Sequence, residues 1–515
     1  MSARLLFLAF IAASLAADTY PRQDGIDIQH YRFSIALRDD TDEIAGEADV
    51  DVLFVKEGVT EVDLDLADTM QLLDPPPAFK HAADRLDIAL PAAPHAGEHR
   101  SFHIKYHGKP AAGLRIGPDK YGERTFFSSN WPNLTHQWLP VVDHPYDKAT
   151  SEFLITAPDR YQVVANGALE EITELSDGQR LTHWKESIPI AAWLNAIGAA
   201  PFAERNFGVV AGIPLQTWVY RQDRDAGMAT FETPMRQAIA FYTDRIGPFP
   251  YEKLAAVEAA GVNGGMEHAS EVFYGERSVT SQPASSLVAH EVAHQWFGDS
   301  VTEKDWDDVW LSEGFATCFA LLNTEHYEGA DAFQAGLKRS RDTILRAAPQ
   351  PVLHDNLADM KKVLNNVIYQ KGGWTLHMLR GQIGDDAFWA GIREYYKRYR
   401  DANASTDEFR HVMEEVSHSD LTWFFAQWLR RSGTPVIEGK WRYNHAAHSI
   451  EIDLTQTQPG EAYRLPMQVA TDGKTVKIEI TAKQQRFAIP ATSAPATLTL
   501  DPNNWLLMEA HVTKQ

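Results

Sequence analysis

Cysteine is almost missing from these 515 residues: Cys318 stands alone. A single thiol excludes an internal disulfide and any metal site built from several thiolates. Long apolar runs are also missing. The N-terminal run, residues 5–13, falls well short of the ~20 residues that cross a bilayer, and no later stretch approaches that length. Basic residues are outnumbered, 48 Lys+Arg against 70 Asp+Glu, for a formal net charge of −22. Such a chain repels phosphate backbones and anionic lipid, so neither nucleic-acid binding nor a membrane-surface role is expected. Internal repeats and low-complexity tracts are lacking. The 44% hydrophobic and 23% charged residues exclude wholesale disorder.

What is present begins with a leader. Arg4 supplies a positive charge, residues 5–13 (LLFLAFIAA) a short apolar core, and Ser14-Leu15-Ala16 the small residues that cleavage needs. The pattern predicts a signal peptide over 1–17 and an exported mature chain, periplasmic or extracellular. Beyond it, the length predicts about three domains. Apolar and polar residues alternate in 31–37, 47–55 and 61–66, with turn formers between, which predicts an antiparallel β domain over 18–205. Helical spacing takes over in 233–245, 285–298, 385–400 and 420–431. Ser405-Thr406-Asp407-Glu408 reads as a capping box and Gly433 as a helix stop, so 206–435 is expected to be mostly α. Alternation returns after 436 and predicts a small β domain over 436–515. The expected fold class is therefore multidomain α+β.

The strongest signal is His290-Glu291-Val292-Ala293-His294. Four residues make about one helical turn, so both imidazoles leave the same helix face toward one point. Two histidines so placed suit Zn²⁺, which needs a third protein ligand and keeps one position for water. Glu291 is placed to act on that water as general base. Glu313 follows His294 after 18 intervening residues, enough for a loop and a second helix that turns a carboxylate back. Upstream lies Gly264-Gly265-Met266-Glu267-His268, whose glycines allow a ligand close to the backbone. Downstream lies Tyr369-Gln370-Lys371-Gly372-Gly373, where a phenol could donate to an oxyanion. Cys318 and the remaining histidines are expected to be structural. Asp299 suits either a hydrogen bond to a metal ligand or a helix-terminal one.

Taken together these motifs resemble the M1 zinc aminopeptidases of the gluzincin clan. The family's HExxH-x18-E triad matches at His290, Glu291, His294 and Glu313. Its longer string matches on through Trp296, Phe297, Gly298 and Asp299, its Tyr-x-Lys-Gly at Tyr369 to Gly372, and its GxMEN motif at Gly264, Gly265, Met266 and Glu267. The resemblance implies a thermolysin-like catalytic domain with one Zn²⁺ per chain, held by His290, His294 and Glu313. It makes Glu291 the base and Tyr369 the transition-state tyrosine. It also assigns Gly264, Gly265, Met266 and Glu267 to the substrate, a peptide with a free N-terminus, with Met266 lining the pocket for the first side chain. Two positions depart from the pattern. The final Asn of GxMEN is His268, and an ungapped count back from Asp143-His144-Pro145 puts Trp131 where relatives hold the amine with Gln or Glu. The chain also ends too early for the long C-terminal helical domain of larger relatives, which implies a more open cleft. Other readings are a zinc endopeptidase, a related zinc hydrolase that opens epoxides, and a secreted binding protein on a peptidase scaffold.

Overall fold

A computed structural model describes residues 18–75, 78–472 and 474–515; the leader expected over 1–17 lies outside the described residues. The early alternation becomes sheet. In Ile44–Phe54, Ala48, Val50, Val52 and Phe54 are buried while Glu47, Asp49 and Asp51 face outward, as a period of two demands. This strand belongs to a seven-stranded sheet, which is accompanied by one four-stranded and one three-stranded sheet. Pairing in the three sheets is antiparallel with one exception that alternation does not reveal. Ile26–Ala36 runs parallel to Lys148–Pro158, with Phe33 beside Phe153.

The middle of the chain holds eight described α-helices: α1 (Arg224–Arg245), α2 (Ser285–His294), α3 (Trp310–Glu328), α4 (Ala330–Arg346), α5 (Asn366–Ile383), α6 (Asp385–Tyr399), α7 (Thr406–Ser417) and α8 (Thr422–Arg430). The capping box forms as expected: the Ser405 amide donates to Glu408 Oε2 at 2.7 Å, and the Glu408 amide donates back to Ser405 Oγ. Gly433 adopts φ of 76° just beyond α8, a conformation that glycine enters without the Cβ penalty. Beside the helices lies a mixed five-stranded sheet in the order Phe202–Val210, Ile213–Tyr220, Leu254–Ala259, Glu271–Gly275, Gly265–Met266. The two-residue strand Gly265–Met266 is therefore an edge.

Sheet returns after Val436, in one four-stranded and one three-stranded unit. These are not isolated from the helices: Trp428 of α8 packs on Tyr463 with ring centroids 5.5 Å apart, and a single apolar core runs from α1 to Met508. Among the described residues, no helix is long and apolar enough to cross a membrane.

Candidate active site

Three helices bring the chemistry together. α2 carries His290 and His294 on one face. It stops at His294, short of the end expected at Gly298, and the Asp299 amide then donates to the His294 carbonyl. Gly298 has φ of 118°, and a Cβ there would overlap Ser312 Oγ and crowd His294 Nδ1. The absence of a side chain at Gly298 thus lets Ser312 sit 2.9 Å from His294 Nδ1 and fix that ring. α3 presents Glu313 in its first turn. α3 and α5 meet at glycines: a Cβ on Gly372 would lie 3.0 Å from Gly314 Cα, and one on Gly373 would lie 3.0 Å from Thr317 Cγ2. That close approach brings Tyr369 of α5 to the site, its ring 6.1 Å from that of His290. Lys371, pointing elsewhere, donates to the Arg431 and Gly433 carbonyls and ties α5 to the end of α8.

The donor atoms converge. Nε2 of His290 and Nε2 of His294 are 3.2 Å apart, and Glu313 Oε2 lies 3.4 and 3.3 Å from them. Ligands at about 2.0–2.1 Å from a tetrahedral ion are about 3.3 Å from one another, so the spacing fits zinc. Chemistry agrees: among the described residues, buried Glu313 Oε2 has no ordinary hydrogen-bond partner. Burial works to raise the Glu313 pKa, yet the two imidazoles outweigh it and hold the carboxylate at about 2. Glu291 and Glu267 behave oppositely. Burial raises both; repulsion from Glu267 adds to the effect on Glu291, and His294 partly offsets it at Glu267. The Tyr369 hydroxyl is likewise pushed well up, by burial and then by the charge of Glu313.

All these groups wall one cavity of about 690 Å³, as do Gly264 and Gly265. A Cβ on Gly265 would overlap the Glu291 carboxylate, so glycine is required for the edge strand to lie against α2. Glu267 faces the cavity and is 5% exposed. Met266 is half-buried and packs against the two apolar cores. Trp131 is not on the wall, among the described residues; its ring packs edge-on to Trp306 at 5.6 Å. His268 is fully buried edge-on to Phe273, and among the described residues neither ring nitrogen makes a hydrogen bond of good geometry. Burial drives its pKa down to about 3, and the polar Trp193 main chain acts in the opposite sense without offsetting it.

Sequence reasoning passed over Gln295. Its side-chain oxygen accepts from the Ser270 amide at 2.8 Å, and its nitrogen donates to Asp299 Oδ2 at 2.8 Å and to the Glu267 carbonyl at 3.2 Å. Gln295 thereby clamps the segment bearing Glu267 to the end of α2, and among the described residues Asp299 hydrogen-bonds Gln295 and no histidine ring. Its place directly after His294 was the available signal.

Two family profiles match the chain. The Peptidase M1 N-terminal domain covers residues 29–194, and the Peptidase family M1 domain covers 231–428, including every residue of the site just described. The chain belongs to peptidase family M1. A glutamyl aminopeptidase of Mus musculus is 26% identical over 407 residues, which is 72% of this chain and 42% of that protein. A probable aminopeptidase 1 of Sulfurisphaera tokodaii is 24% identical over 400 residues, 72% of this chain and 49% of that protein. The chain thus spans less than half the length of these curated M1 relatives. The N-terminal β-rich region, the helical region and the C-terminal sheets all accord with the α+β class expected of an M1 chain.

Proposed function

We propose that the protein is an exported zinc aminopeptidase that removes N-terminal residues from peptides. One observation carries the choice of an end-cutting enzyme. Ligand atoms of Glu267, Glu291 and His294 lie within 4.8 Å of one another. In a peptide the terminal nitrogen is only about 2.5 Å from the first carbonyl carbon. A carboxylate so near the base leaves room for one residue between an anchored ammonium and the bond to be cut.

In this reading His290, His294 and Glu313 hold the zinc, whose chemistry when bound is to polarise the scissile carbonyl as a Lewis acid. Glu267 accepts hydrogen bonds from the substrate's ammonium. Gly264 and Gly265 lie beside it, and the edge strand they lead into has free backbone groups with which an extended peptide can pair. Glu291 takes the proton of the attacking water and delivers it to the leaving amine. The Tyr369 hydroxyl donates to the oxyanion as it develops. Met266, by the family resemblance, lines the pocket for the first side chain. Export rests on the leader pattern around residues 4–16. The names of the M1 relatives, glutamyl aminopeptidase and probable aminopeptidase, support peptides as substrates.

The test compares free and N-acetylated forms of the same peptides. Free forms should be cleaved one residue at a time and acetylated forms should be nearly inert. Glu267→Ala should cut kcat/KM for free forms by about 10²-fold, because a hydrogen bond to a charged group is worth about 1.5–3 kcal/mol before the cost of an unpaired charge. Equal turnover of both forms would turn the reading to internal cleavage.

A further inference from the structure

The cavity does not end at the zinc ligands. It continues along the groove between α3 and α4, walled by Thr317 and Leu321 on one side and by Gly336, Arg339 and Thr343 on the other. These positions recur at helical spacing, so each set is one helix face. The groove is narrow because α4 presses on α3 at a glycine: a Cβ on Gly336 would lie 2.5 Å from Leu321 Cδ2. The Arg339 side chain turns back along α4, its Nη2 3.8 Å from where that Cβ would be. The guanidinium therefore lies over the groove, where the next-door Gly336 leaves it room.

Among the described residues Arg339 is the single Lys or Arg on a wall that carries Glu267, Glu291 and Glu313. Among the described residues it has no ion pair, and its side chain donates no hydrogen bond. Beside it on the same wall Ser340 is 6% exposed, and its hydroxyl also lacks a partner. Arg339 and Ser340 are thus neighbouring donors that no acceptor among the described residues takes, and an anion from outside matches them. A guanidinium fits one chemistry above others there, a planar carboxylate taken by two parallel N–H bonds.

Resting on the aminopeptidase reading, we propose that Arg339 is a specificity-determining residue that binds a carboxylate of the substrate peptide. The carboxylate has two possible sources, an acidic side chain near the scissile bond or the C-terminus of a short peptide. Both are anions within a few residues of the anchored ammonium.

The experiment uses the zinc-loaded full chain and three matched pairs of tripeptides: Glu against Gln at the first residue, Glu against Gln at the second, and free acid against amide at the C-terminus. At least one carboxylate member should exceed its neutral partner in kcat/KM by about tenfold or more, mainly through KM. The pair that does so identifies the source. Arg339→Ala should bring that ratio close to one, Arg339→Glu should invert it, and Arg339→Lys should keep part of it. Added salt should erode the ratio, since Arg339 is exposed. Ratios near one in all three wild-type pairs would overturn the proposal, as would a preference that survives in folded Arg339→Ala and Arg339→Glu proteins. Failure to cleave any of the six peptides would instead overturn the aminopeptidase reading, and this inference with it.

Discussion

Replacing His268 by Leu should flatten the acid side of the stability profile. The ring is fully buried, neither nitrogen makes a hydrogen bond of good geometry among the described residues, and burial holds its pKa at about 3 against an ordinary 6.5. As pH falls, the unfolded chain takes up this proton first and the folded chain resists it. Stability is therefore intact above pH ~6.5 and is lost progressively as pH drops toward ~3. At about pH 5 the unfolded imidazole is almost wholly protonated and the folded one is not, a difference of about 2 kcal/mol from this residue alone. His377, buried against Trp505 and held at about 4, adds a similar amount over the same window. Urea titrations of wild type and His268→Leu at about pH 7.5 and pH 5 isolate the term. The wild type should lose about 2 kcal/mol more than the variant on acidification, whatever the variant's packing costs at neutral pH. An equal loss in both proteins would refute the argument, and would mean that His268 is protonated in the fold or finds a partner there.

Glu291→Gln and Tyr369→Phe should each lower kcat by about 10²-fold or more while zinc content stays near one per chain, checked by steady-state kinetics beside metal analysis. Ser312→Ala removes the partner of His294 Nδ1, and competition with a chelator should show zinc affinity down by about tenfold or more. Gly298→Ala should weaken it further, because the new methyl would overlap Ser312 and crowd His294 at a φ of 118°. Gln295→Leu frees the Glu267 segment from α2, and should raise KM for free-amine peptides more than it lowers kcat.

The reacting groups were legible because their chemistry needs particular residues at helical spacing: His290 and His294 one turn apart, and Glu313 near the start of the next helix. The helices α1, α2, α6 and α8 were legible from period, and α7 from its cap. Other features carry no local signal. Leu254–Ala259 is buried along its whole length, so it shows no alternation to mark it as a strand. Gly265–Met266 is too short for any period, and only its pairing with Phe273 and Tyr274 marks it as a strand. The parallel pairing of Ile26–Ala36 with Lys148–Pro158 joins segments more than a hundred residues apart, and nothing in either strand encodes that partner. Arg339 and Trp131 are decided by packing: α4 pressed on α3 carries Arg339 into the cavity, whereas contact with Trp306 holds Trp131 against the core.

The central claim is that His290, His294 and Glu313 form one zinc site. Metal analysis of the purified mature chain, after dialysis and after supply of zinc, tests it most directly. Close to one zinc per chain is expected in wild type and Glu291→Gln, and a large loss in Glu313→Ala, which removes a ligand and leaves the two imidazoles. A wild-type protein that is metal-free as purified and takes up no zinc when it is supplied, or a Glu313→Ala protein that holds zinc as tightly as wild type, would contradict it.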